Sequence, residues 1–535
     1  MSRGMVVAPQ PEAVEAGALA LKNGGNAVDA AIACALVQTV VDPQMAGIAG
    51  FGSLQVYLPR KEIHSFIDFH GRAPAAATAD MWEGLIEAEA EDGFGFVIDG
   101  HVNDLGYQSI TTPGSLKAYH EALTRYGKMD WSEVLEPAIA YADEGFVIRP
   151  HVHDFWTRKE DFGLVDHIER LRFSPSGRTI YFKADGSLRQ PGEILQNPDM
   201  GRTLRRIAED GSEVFYEGEI ARFIADDIAR GGGLLTLDDL KSYRTQQNEP
   251  LWGDYRGHRI ATNQPPGGGI MVLEMLHILE HFDLAALGHN SPGYIRIVSE
   301  AMKRATIDKD RHVGDPLFNE VPIGRLLDKA YARAQAEAIE RGEIAHVARY
   351  GAVDEPRDTT HVCTVDSDGN AVSMTHSLGM PSGVITDGLG FMYNGCMSVF
   401  DPRPGRTGSI APGKARFTSM APAIVFKEDE PYLVVGAPGG TFIAMGILQV
   451  ILNVVDFGMS ISDAVAAPRF CTTSDVIDVV NRIPRFVTAE LEAMGCQVRR
   501  SYRSYHFAGV HAIKIANGKW SGGADPGRDG MALQV

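Results

Sequence analysis

Hydrophobic residues recur every three or four positions along 11–22, which predicts an amphipathic helix that the glycines of "NGGN" at 23–26 end. A second helix is predicted from 27 to about 41, with Asn26 and Asp29 as its N-terminal caps. This second helix is apolar on almost every side. We therefore expect it to be buried.

Alternation of polar and apolar residues replaces the helical period further on. The stretch 45–59 reads as a glycine-rich turn that runs into a strand, and 63–69 reads as the strand that pairs with it in a hairpin. The glycine-rich turn is either a tight connection or a ligand loop. Residues 80–330 are mostly helical, with clear helices at 132–146 and 269–282.

The pattern changes again after a polar segment, 340–358, that lacks periodicity and is interpreted as a mobile linker. Several strands follow it, and a helix is expected at about 440–456. The predicted strands are "THVCTV" (360–365), "AVSMTHS" (371–377), "PAIVF" (422–426) and "PYLVVGA" (431–437). Strands surrounded by helices indicate a layered α/β or α+β architecture.

Charge and length exclude several classes of function. The chain has 535 residues and a net charge of −19, without a run of lysines or arginines. Nucleic acid and anionic membrane surfaces are therefore not expected partners. The longest apolar stretch, 30–41, has about 12 residues and is too short to cross a bilayer. The N-terminus lacks the apolar core of a signal peptide, so we expect a cytoplasmic protein.

Metal and disulfide sites are also not predicted. The five cysteines are widely spaced and form no CxxC pair. "HVHD" at 151–154 misses the spacing of dinuclear metal sites and is interpreted as a surface loop. His361, Cys363 and His376 lie on predicted strands and are interpreted as interior residues. No cofactor is expected.

The hairpin of 360–377 brings two hydroxyl groups together. Its turn, "DSDGN" at 366–370, is centred on Asp368, so residues that face each other across the strands have numbers that sum to about 736. Thr359 then faces Ser377. Threonine is a good strand residue, and a structural pair remains the simple alternative.

Cleavage of the Asp358–Thr359 bond would change the chemistry of Thr359. The residue would then carry both a hydroxyl nucleophile and a free α-amine, whose reference pKa of about 7.7–8.0 lets it accept the hydroxyl proton. Such chemistry needs donors for an oxyanion. Gly439 and Gly440 in "GAPGGT" (436–441) lie between a strand and a helix, where their N–H groups are suited to that role, although a plain turn gives the same pattern.

Several motifs occur in one order along the whole chain, and together they resemble the γ-glutamyltransferase family of N-terminal nucleophile hydrolases. The motifs are "GGNAVDAAIA" (24–33), "DFHGRAPAAATADM" (68–81), "TTPGSLKAY" (111–119), "QPPGGG" (264–269), "DTTHV" (358–362), "FTSMAP" (417–422), "GAPGG" (436–440) and "AAPRF" (466–470).

The resemblance implies a four-layer αββα sandwich of the α+β class, made as a proenzyme that cuts itself between Asp358 and Thr359. It implies a large subunit of residues 1–358 and a small subunit of residues 359–535, which form one intertwined unit. Thr359 would be the nucleophile, and Thr360 and His361 complete the signature.

The same resemblance assigns the residues around the nucleophile. Ser377 falls where the family places a hydroxyl that hydrogen-bonds the nucleophile, in agreement with the hairpin numbering. The paired hydroxyls Thr418 and Ser419 match those that bind the acyl carboxylate. Gly439 and Gly440 match the oxyanion glycines.

The chain departs from the family at the positions that hold a γ-glutamyl group. His70 replaces the arginine of the family's "DFRE", and within "NGCMSVF" (394–400) Val399 occupies the acidic position and Cys396 the amide position. Gly379 replaces an asparagine near the nucleophile. Arg72, two residues beyond His70 on an extended segment, either reaches an acyl carboxylate or is a solvated loop charge.

A valine cannot pair with an ammonium group, so an acyl group that has a carboxylate but no α-amine fits this pattern best. The chain is similar in this respect to the glutaryl-cephalosporin acylases and oxamate amidohydrolases, which hydrolyse amides of dicarboxylic acids. The expected partner is thus a small-molecule amide. The alternatives are a true γ-glutamyltransferase that acts on glutathione-like donors and an unprocessed, catalytically silent binding protein.

Overall fold

The computed structural model describes residues 3–90, 93, 95–159, 164–349 and 359–535. Within these residues the strands are β1 (Gly4–Ala8), β2 (Phe51–Leu58), β3 (Ile63–Phe69), β4 (Ile86–Glu89), β5 (Phe96–Ile98), β6 (Phe146–Val147), β7 (Ile194–Leu195), β8 (Gln246–Asn248), β9 (Leu251–Tyr255), β10 (His258–Thr262), β11 (Thr360–Asp366), β12 (Ala371–Ser377), β13 (Ala423–Lys427), β14 (Glu430–Gly436), β15 (Phe470–Cys471), β16 (Val476–Val479), β17 (Gln497–Arg500), β18 (His511–Ala516), β19 (Lys519–Gly523) and β20 (Met531–Gln534).

The helices of the same residues are α1 (Pro11–Lys22), α2 (Ala27–Val41), α3 (Ser115–Tyr126), α4 (Trp131–Glu144), α5 (Pro150–Trp156), α6 (His167–Arg172), α7 (Pro175–Tyr181), α8 (Pro198–Asp210), α9 (Glu213–Tyr216), α10 (Glu219–Arg230), α11 (Leu237–Ser242), α12 (Gly269–Leu279), α13 (Leu284–Leu287), α14 (Pro292–His312), α15 (Ile323–Leu326), α16 (Lys329–Glu340), α17 (Ile443–Val455), α18 (Ile461–Ala466) and α19 (Arg485–Ala493). None of them is both long and apolar enough to span a membrane.

The first two helices follow the prediction closely. At the start of α2 the Asn26 side chain accepts hydrogen bonds from the N–H groups of Val28 and Asp29, and the Asp29 carboxylate accepts the N–H of Asn26. This reciprocal pair satisfies N–H groups that a helix leaves unbonded. Every residue of α2 is buried, as its apolar pattern predicts.

Two antiparallel sheets form the centre of the molecule. The first has the strand order β20-β1-β11-β12-β2-β3-β8, and the second has the order β19-β18-β14-β13-β10-β9. Each sheet combines strands that precede residue 358 with strands that follow it. Separating the chain at that point would therefore leave two pieces that still share both sheets.

Side chains alternate between the faces of each sheet and so define four layers. On β1, Val6 belongs to the core that the first sheet shares with α1 and α2, whereas Met5 and Val7 face the second sheet. On β14, Leu433 and Val435 pack with α12 and α17, while Val434 faces the first sheet. The αββα sandwich is thereby confirmed.

Two local expectations need comment. The segment 151–154 was expected to form a surface loop, but it lies in α5, whose first residue is Pro150. The loop prediction was wrong because proline is favourable at the first position of a helix, where its missing N–H has no partner to lose. The predicted linker of 340–358 begins where α16 ends at Glu340, and its last nine residues lie outside the described part of the chain.

Candidate active site

Two buried hydroxyls meet at one end of the first sheet. Thr359 directly precedes β11 and Ser377 is the last residue of β12, and the register pairs Thr360 with His376, so facing residues sum to 736 as predicted. Thr359 Oγ1 donates a hydrogen bond of 3.3 Å to Ser377 Oγ. Thr359 is 3% exposed and Ser377 is 1% exposed. The predicted juxtaposition is confirmed, whereas Asp358 lies outside the described residues.

Gly379 fixes the orientation of Ser377. Its N–H donates a hydrogen bond of 2.7 Å to Ser377 Oγ, and its φ of 69° lies in the left-handed region that favours glycine. A Cβ at this position would lie 3.0 Å from Cys396 Sγ. A larger residue, such as the asparagine of the family pattern, would therefore have to displace its surroundings.

The main-chain nitrogen of Thr359 lies beside a sulfur atom and a positive charge. It donates to Met45 Sδ at 3.4 Å, and Arg528 Nη1 donates to the same sulfur at 3.4 Å. The neighbouring Thr360 is held separately, because its hydroxyl accepts from Gln38 Nε2 at 3.0 Å and donates to Gln10 Oε1 at 3.2 Å. The two adjacent threonines thus have different surroundings, and only Thr359 faces Ser377.

The two predicted oxyanion glycines form a tight turn between β14 and α17. Gly439 has a φ of 138° and Gly440 a φ of 55°, and a single 3₁₀ turn, Gly440–Phe442, leads into the helix. A Cβ on Gly439 would lie only 2.6 Å from Ala508 Cα. Gly439 and Arg528 line a common cavity of about 50 Å³. Because Arg528 also contacts Met45, this turn belongs to the surroundings of Thr359.

Thr418 and Ser419 are buried and held by the "QPPGGG" segment. The N–H of Thr418 donates to the Pro266 carbonyl at 2.9 Å, and its hydroxyl accepts from the N–H of Met420 at 3.4 Å. A Cβ on Gly268 would lie 2.6 Å from the carbonyl carbon of Ser419. The absence of a side chain at Gly268 therefore allows the two segments to pack closely.

His70 and Arg72 do not share surroundings, although they are only two residues apart. The ring of His70 is buried, and its Nδ1 pairs with the Asp68 carboxylate. Arg72 lies further out and donates from Nη1 to the Gly413 carbonyl at 3.0 Å, with Asp315 Oδ2 at 3.7 Å from the same nitrogen. These contacts direct the charge of Arg72 toward Asp315.

Cys396 and Val399, the two residues of "NGCMSVF" that depart from the family pattern, also lie in different surroundings. Cys396 is fully buried beside Gly379, and burial raises the pKa of its thiol, although the charge of Arg416 acts in the opposite direction. Val399 is half-buried and lines a separate cavity of about 650 Å³, together with Arg349, Arg403 and other residues. The assignment of Val399 to the acidic position of the family's substrate-binding residues stays a prediction.

Sequence reasoning did not find Arg416. This buried residue contacts Cys396, with Nη2 at 3.8 Å from Sγ, and its guanidinium lies over the Phe51 ring at 4.6 Å from the centroid. A signal was present, because Arg416 lies two residues before Thr418 in "KARFTS". A positive charge next to two predicted binding hydroxyls is typical of a carboxylate site.

His361, His376 and Cys363 are interior residues, as predicted. His376 pairs with Tyr119 and Gln38 at 2.7 Å each, and burial lowers the pKa of its imidazole to about 3. Burial also lowers the pKa of His361 well below its ordinary value, and its Nε2 lies 3.1 Å from Cys363 Sγ. These histidines stay neutral at pH 7 and stabilise the strand that carries Thr359.

Known proteins resemble this chain over nearly its full length. The chain is 39% identical over 540 residues to the acylase ACY 1 proenzyme of Pseudomonas sp. (strain V22), and the aligned region covers 100% of this chain and 94% of that protein. It is 33% identical over 556 residues to the glutathione hydrolase proenzyme of Bacillus subtilis (strain 168), covering 99% and 91%. The crystal structure of cephalosporin acylase from Bacillus halodurans superposes with a TM-score of 0.87 at 29% identity, covering 99% and 96%.

The family assignment rests on almost the whole chain. The profile described as gamma-glutamyltranspeptidase matches residues 13–535, which include the hydroxyl pair at Thr359 and Ser377 and every strand of both sheets except β1. The chain belongs to the gamma-glutamyltranspeptidase family of enzymes.

Proposed function

We propose that the chain is an autoprocessing threonine amidohydrolase, which forms an acyl-enzyme at Thr359 and resolves it mainly with water. The observation that carries this proposal is the buried hydrogen bond from Thr359 Oγ1 to Ser377 Oγ at the head of a strand. Autoprocessing is also supported by two relatives, because the acylase and the glutathione hydrolase described above are both named proenzymes.

Processing would begin with attack of Thr359 Oγ1 on the carbonyl carbon of Asp358. The peptide C–N bond breaks as the ester C–O bond forms, and the nitrogen of Thr359 takes up the hydroxyl proton. Water then hydrolyses the ester, which leaves a carboxylate at Asp358 and a free α-amine at Thr359. The products are a large subunit of residues 1–358 and a small subunit of residues 359–535, which remain joined through both sheets.

The same oxygen would then act on substrate. The free α-amine of Thr359 takes the proton of its own hydroxyl, and Oγ1 attacks the substrate amide carbon. The N–H groups of Gly439 and Gly440 stabilise the developing oxyanion, and the leaving amine departs with the proton. Water then attacks the acyl ester as the α-amine takes its proton, the bond between the acyl carbon and Oγ1 breaks, and Oγ1 regains that proton as the acid leaves. Ser377, held by the N–H of Gly379, keeps Oγ1 in its attacking orientation.

The acyl group in this proposal carries a carboxylate but no α-amine, as in a glutaryl amide or oxamate. His70 occupies the arginine position of the family pattern, and neither Val399 nor the buried thiol of Cys396 supplies a negative charge for an ammonium group. The 39% identity to an acylase supports this branch. The identity of 33% to a glutathione hydrolase favours the second candidate, a γ-glutamyltransferase.

Intact mass spectrometry of the purified protein tests the proposal. We expect fragments that begin at Thr359 in the wild type and a single uncut chain in Thr359→Ala. Thr364→Val is the matched control, because Thr364 is a buried threonine of the same strand whose hydroxyl donates to the Ala27 carbonyl. A folded and active wild type that remains one chain would refute autoprocessing.

The substrate class needs a second measurement. Rates with glutaryl-p-nitroanilide, oxamate and γ-glutamyl-p-nitroanilide are compared on the processed enzyme. Preference for the first two supports the amidohydrolase, whereas preference for the γ-glutamyl compound, with transfer to a dipeptide acceptor, supports the second candidate.

A further inference from the structure

Arg416 places a positive charge in the wall of the site beside the nucleophile. A Cβ built on Gly379 would lie 3.3 Å from Arg416 Nη2, and the N–H of the same glycine donates to Ser377 Oγ, the acceptor of the Thr359 hydrogen bond. Arg416 is 2% exposed, so this charge acts where water screens it poorly.

The guanidinium is held in a defined orientation. Its Nη1 donates to the Phe417 carbonyl at 3.0 Å, and its Cζ lies over the Phe51 ring. Phe51 also touches the position of Gly379, with Cε1 at 3.4 Å from the built Cβ. An arginine fixed in this way can present its planar set of donors to a carboxylate without first losing conformational freedom.

His70 approaches the same aromatic ring from another element. Its ring centroid lies 6.2 Å from that of Phe51, and its Nε2 is buried without a hydrogen-bond partner among the described residues. A buried polar atom without a partner costs free energy, which a ligand that pairs with it would recover. The Asp68 carboxylate occupies Nδ1, so Nε2 is the ring nitrogen left to contact a ligand, and it donates to an anion when it carries a hydrogen.

We infer that Arg416, together with His70, forms the subsite that binds the distal carboxylate of the acyl group. This inference rests on the proposed amidohydrolase function and deepens it, since it identifies the substrates as amides of dicarboxylic acids. Arg416 takes the place of Arg72 as the residue that binds the acyl carboxylate, because the described contacts of Arg72 are with Gly413 and Asp315.

The same charge rejects the γ-glutamyl group. A γ-glutamyl substrate carries an ammonium group on the carbon that bears its carboxylate, and that ammonium group would lie close to the guanidinium. Like charges in a buried site repel each other strongly. Arg416 therefore contributes to specificity twice, by attraction of the carboxylate and by repulsion of the amine.

Three p-nitroanilides that share a leaving group test the subsite. They are glutaryl, pentanoyl, which replaces the carboxylate with a methyl group, and γ-glutamyl. For Arg416→Met we expect kcat/KM on the glutaryl compound to fall roughly 10- to 150-fold, as for a lost charge-assisted hydrogen bond, with less than about a threefold change on the pentanoyl compound. Arg416→Lys keeps the charge but loses the paired N–H donors of the guanidinium, so its kcat/KM on the glutaryl compound should lie between those of the wild type and Arg416→Met.

Controls separate this inference from the proposed function. Both Arg416 variants must show the fragment that begins at Thr359 and a cooperative thermal transition. Equal losses on the glutaryl and pentanoyl compounds, or no loss on either, would overturn the subsite. If Arg416→Met does not fold, Arg416→Lys alone decides: an unchanged glutaryl-to-pentanoyl ratio then counts against the inference.

A binding measurement does not depend on turnover. Calorimetric titration of the wild type with glutarate, repeated on Arg416→Lys and Arg416→Met, should show at least about tenfold weaker binding in the methionine variant. Equal affinities would overturn the subsite even if the wild type proves inactive on every amide. An uncut or inactive wild type that still binds glutarate through Arg416 would instead contradict the proposed function alone.

Discussion

Thr359 Oγ1 and Ser377 Oγ lie 3.3 Å apart at the open end of the β11–β12 hairpin, with the N–H of Gly379 donating to the serine oxygen. The relationship joins a residue at the start of one strand to a residue at the end of the next. It depends on a register in which facing residues sum to 736. If the register between β11 and β12 shifted by one residue, the two hydroxyls would lie on opposite faces of the sheet.

Removal of the serine hydroxyl should slow both reactions of Thr359. In Ser377→Ala, Oγ1 loses its acceptor and the N–H of Gly379 loses its partner. We expect processing and kcat to fall roughly 10- to 100-fold, as for loss of one buried hydrogen bond. Time-resolved intact mass spectrometry and steady-state kinetics measure the two rates. Processing at the wild-type rate would show that Ser377 does not orient the nucleophile.

A methyl group on Gly439 should impair catalysis more than folding. Gly439→Ala combines a positive φ with a Cβ only 2.6 Å from Ala508 Cα, so the turn must move and its N–H groups with it. We expect kcat to fall on the order of 100-fold. Gly458→Ala is the matched control, because Gly458 has a φ of 62° and open space around its built Cβ.

The two glycine variants should differ more in activity than in stability. The positive φ costs an alanine roughly 1–2 kcal/mol at either position, and Gly439→Ala adds the contact of its Cβ with the Ala508 backbone. Urea unfolding measures this cost, and turnover of the glutaryl compound measures the catalytic effect. Equal activity of the two variants would argue against an oxyanion role for the Gly439 turn.

The hairpin and the first helices could be predicted because their determinants are local. The turn "DSDGN" fixes the register of β11 and β12, and the Asn26–Asp29 capping pair fixes the start of α2. The order of strands in the two sheets was not predictable, since β1 pairs with β11 across more than 350 residues. The resemblance to a family supplied the four layers in advance, but not the order of the strands within them.

The acyl side of the site shows the limit of reasoning from spacing. His70 and Arg72 alternate along an extended segment, which predicted a shared face, but Asp315 and Gly413 from distant parts of the chain hold Arg72. Arg416 reaches Gly379 because Phe51 and Cys396 fold against it. Such contacts arise from tertiary packing, which no local pattern encodes.

Stability should decline as the pH falls below neutrality, because buried histidines resist protonation. Burial lowers the pKa of His376 from 6.5 to about 3 and that of His511 to about 4. The unfolded chain therefore binds more protons than the folded chain between pH 6.5 and these values, so stability is full above 6.5 and is lost through that window.

The expected slope is at most about 1.4 kcal/mol per pH unit for each histidine. Urea unfolding between pH 7.5 and 4.5 measures it. His376→Gln should reduce the slope, although its stability at pH 7.5 falls because contacts with Tyr119 and Gln38 change. A slope equal to that of the wild type would show that His376 does not contribute to the acid sensitivity.

The charge of Arg528 should tune the amine that Thr359 gains on processing. Arg528 Nη1 and the nitrogen of Thr359 contact the same sulfur, Met45 Sδ, at 3.4 Å each. A nearby positive charge disfavours a second one, so Arg528 favours the neutral amine that accepts the hydroxyl proton. In Arg528→Met the acid limb of the kcat/KM profile should move to higher pH, whereas Arg528→Lys, which keeps the charge, should shift it less. The measurement is kcat/KM on the glutaryl compound from pH 5 to 9 with processed enzyme. An acid limb that stays fixed or moves to lower pH in Arg528→Met would show that this arginine does not lower the pKa of the amine.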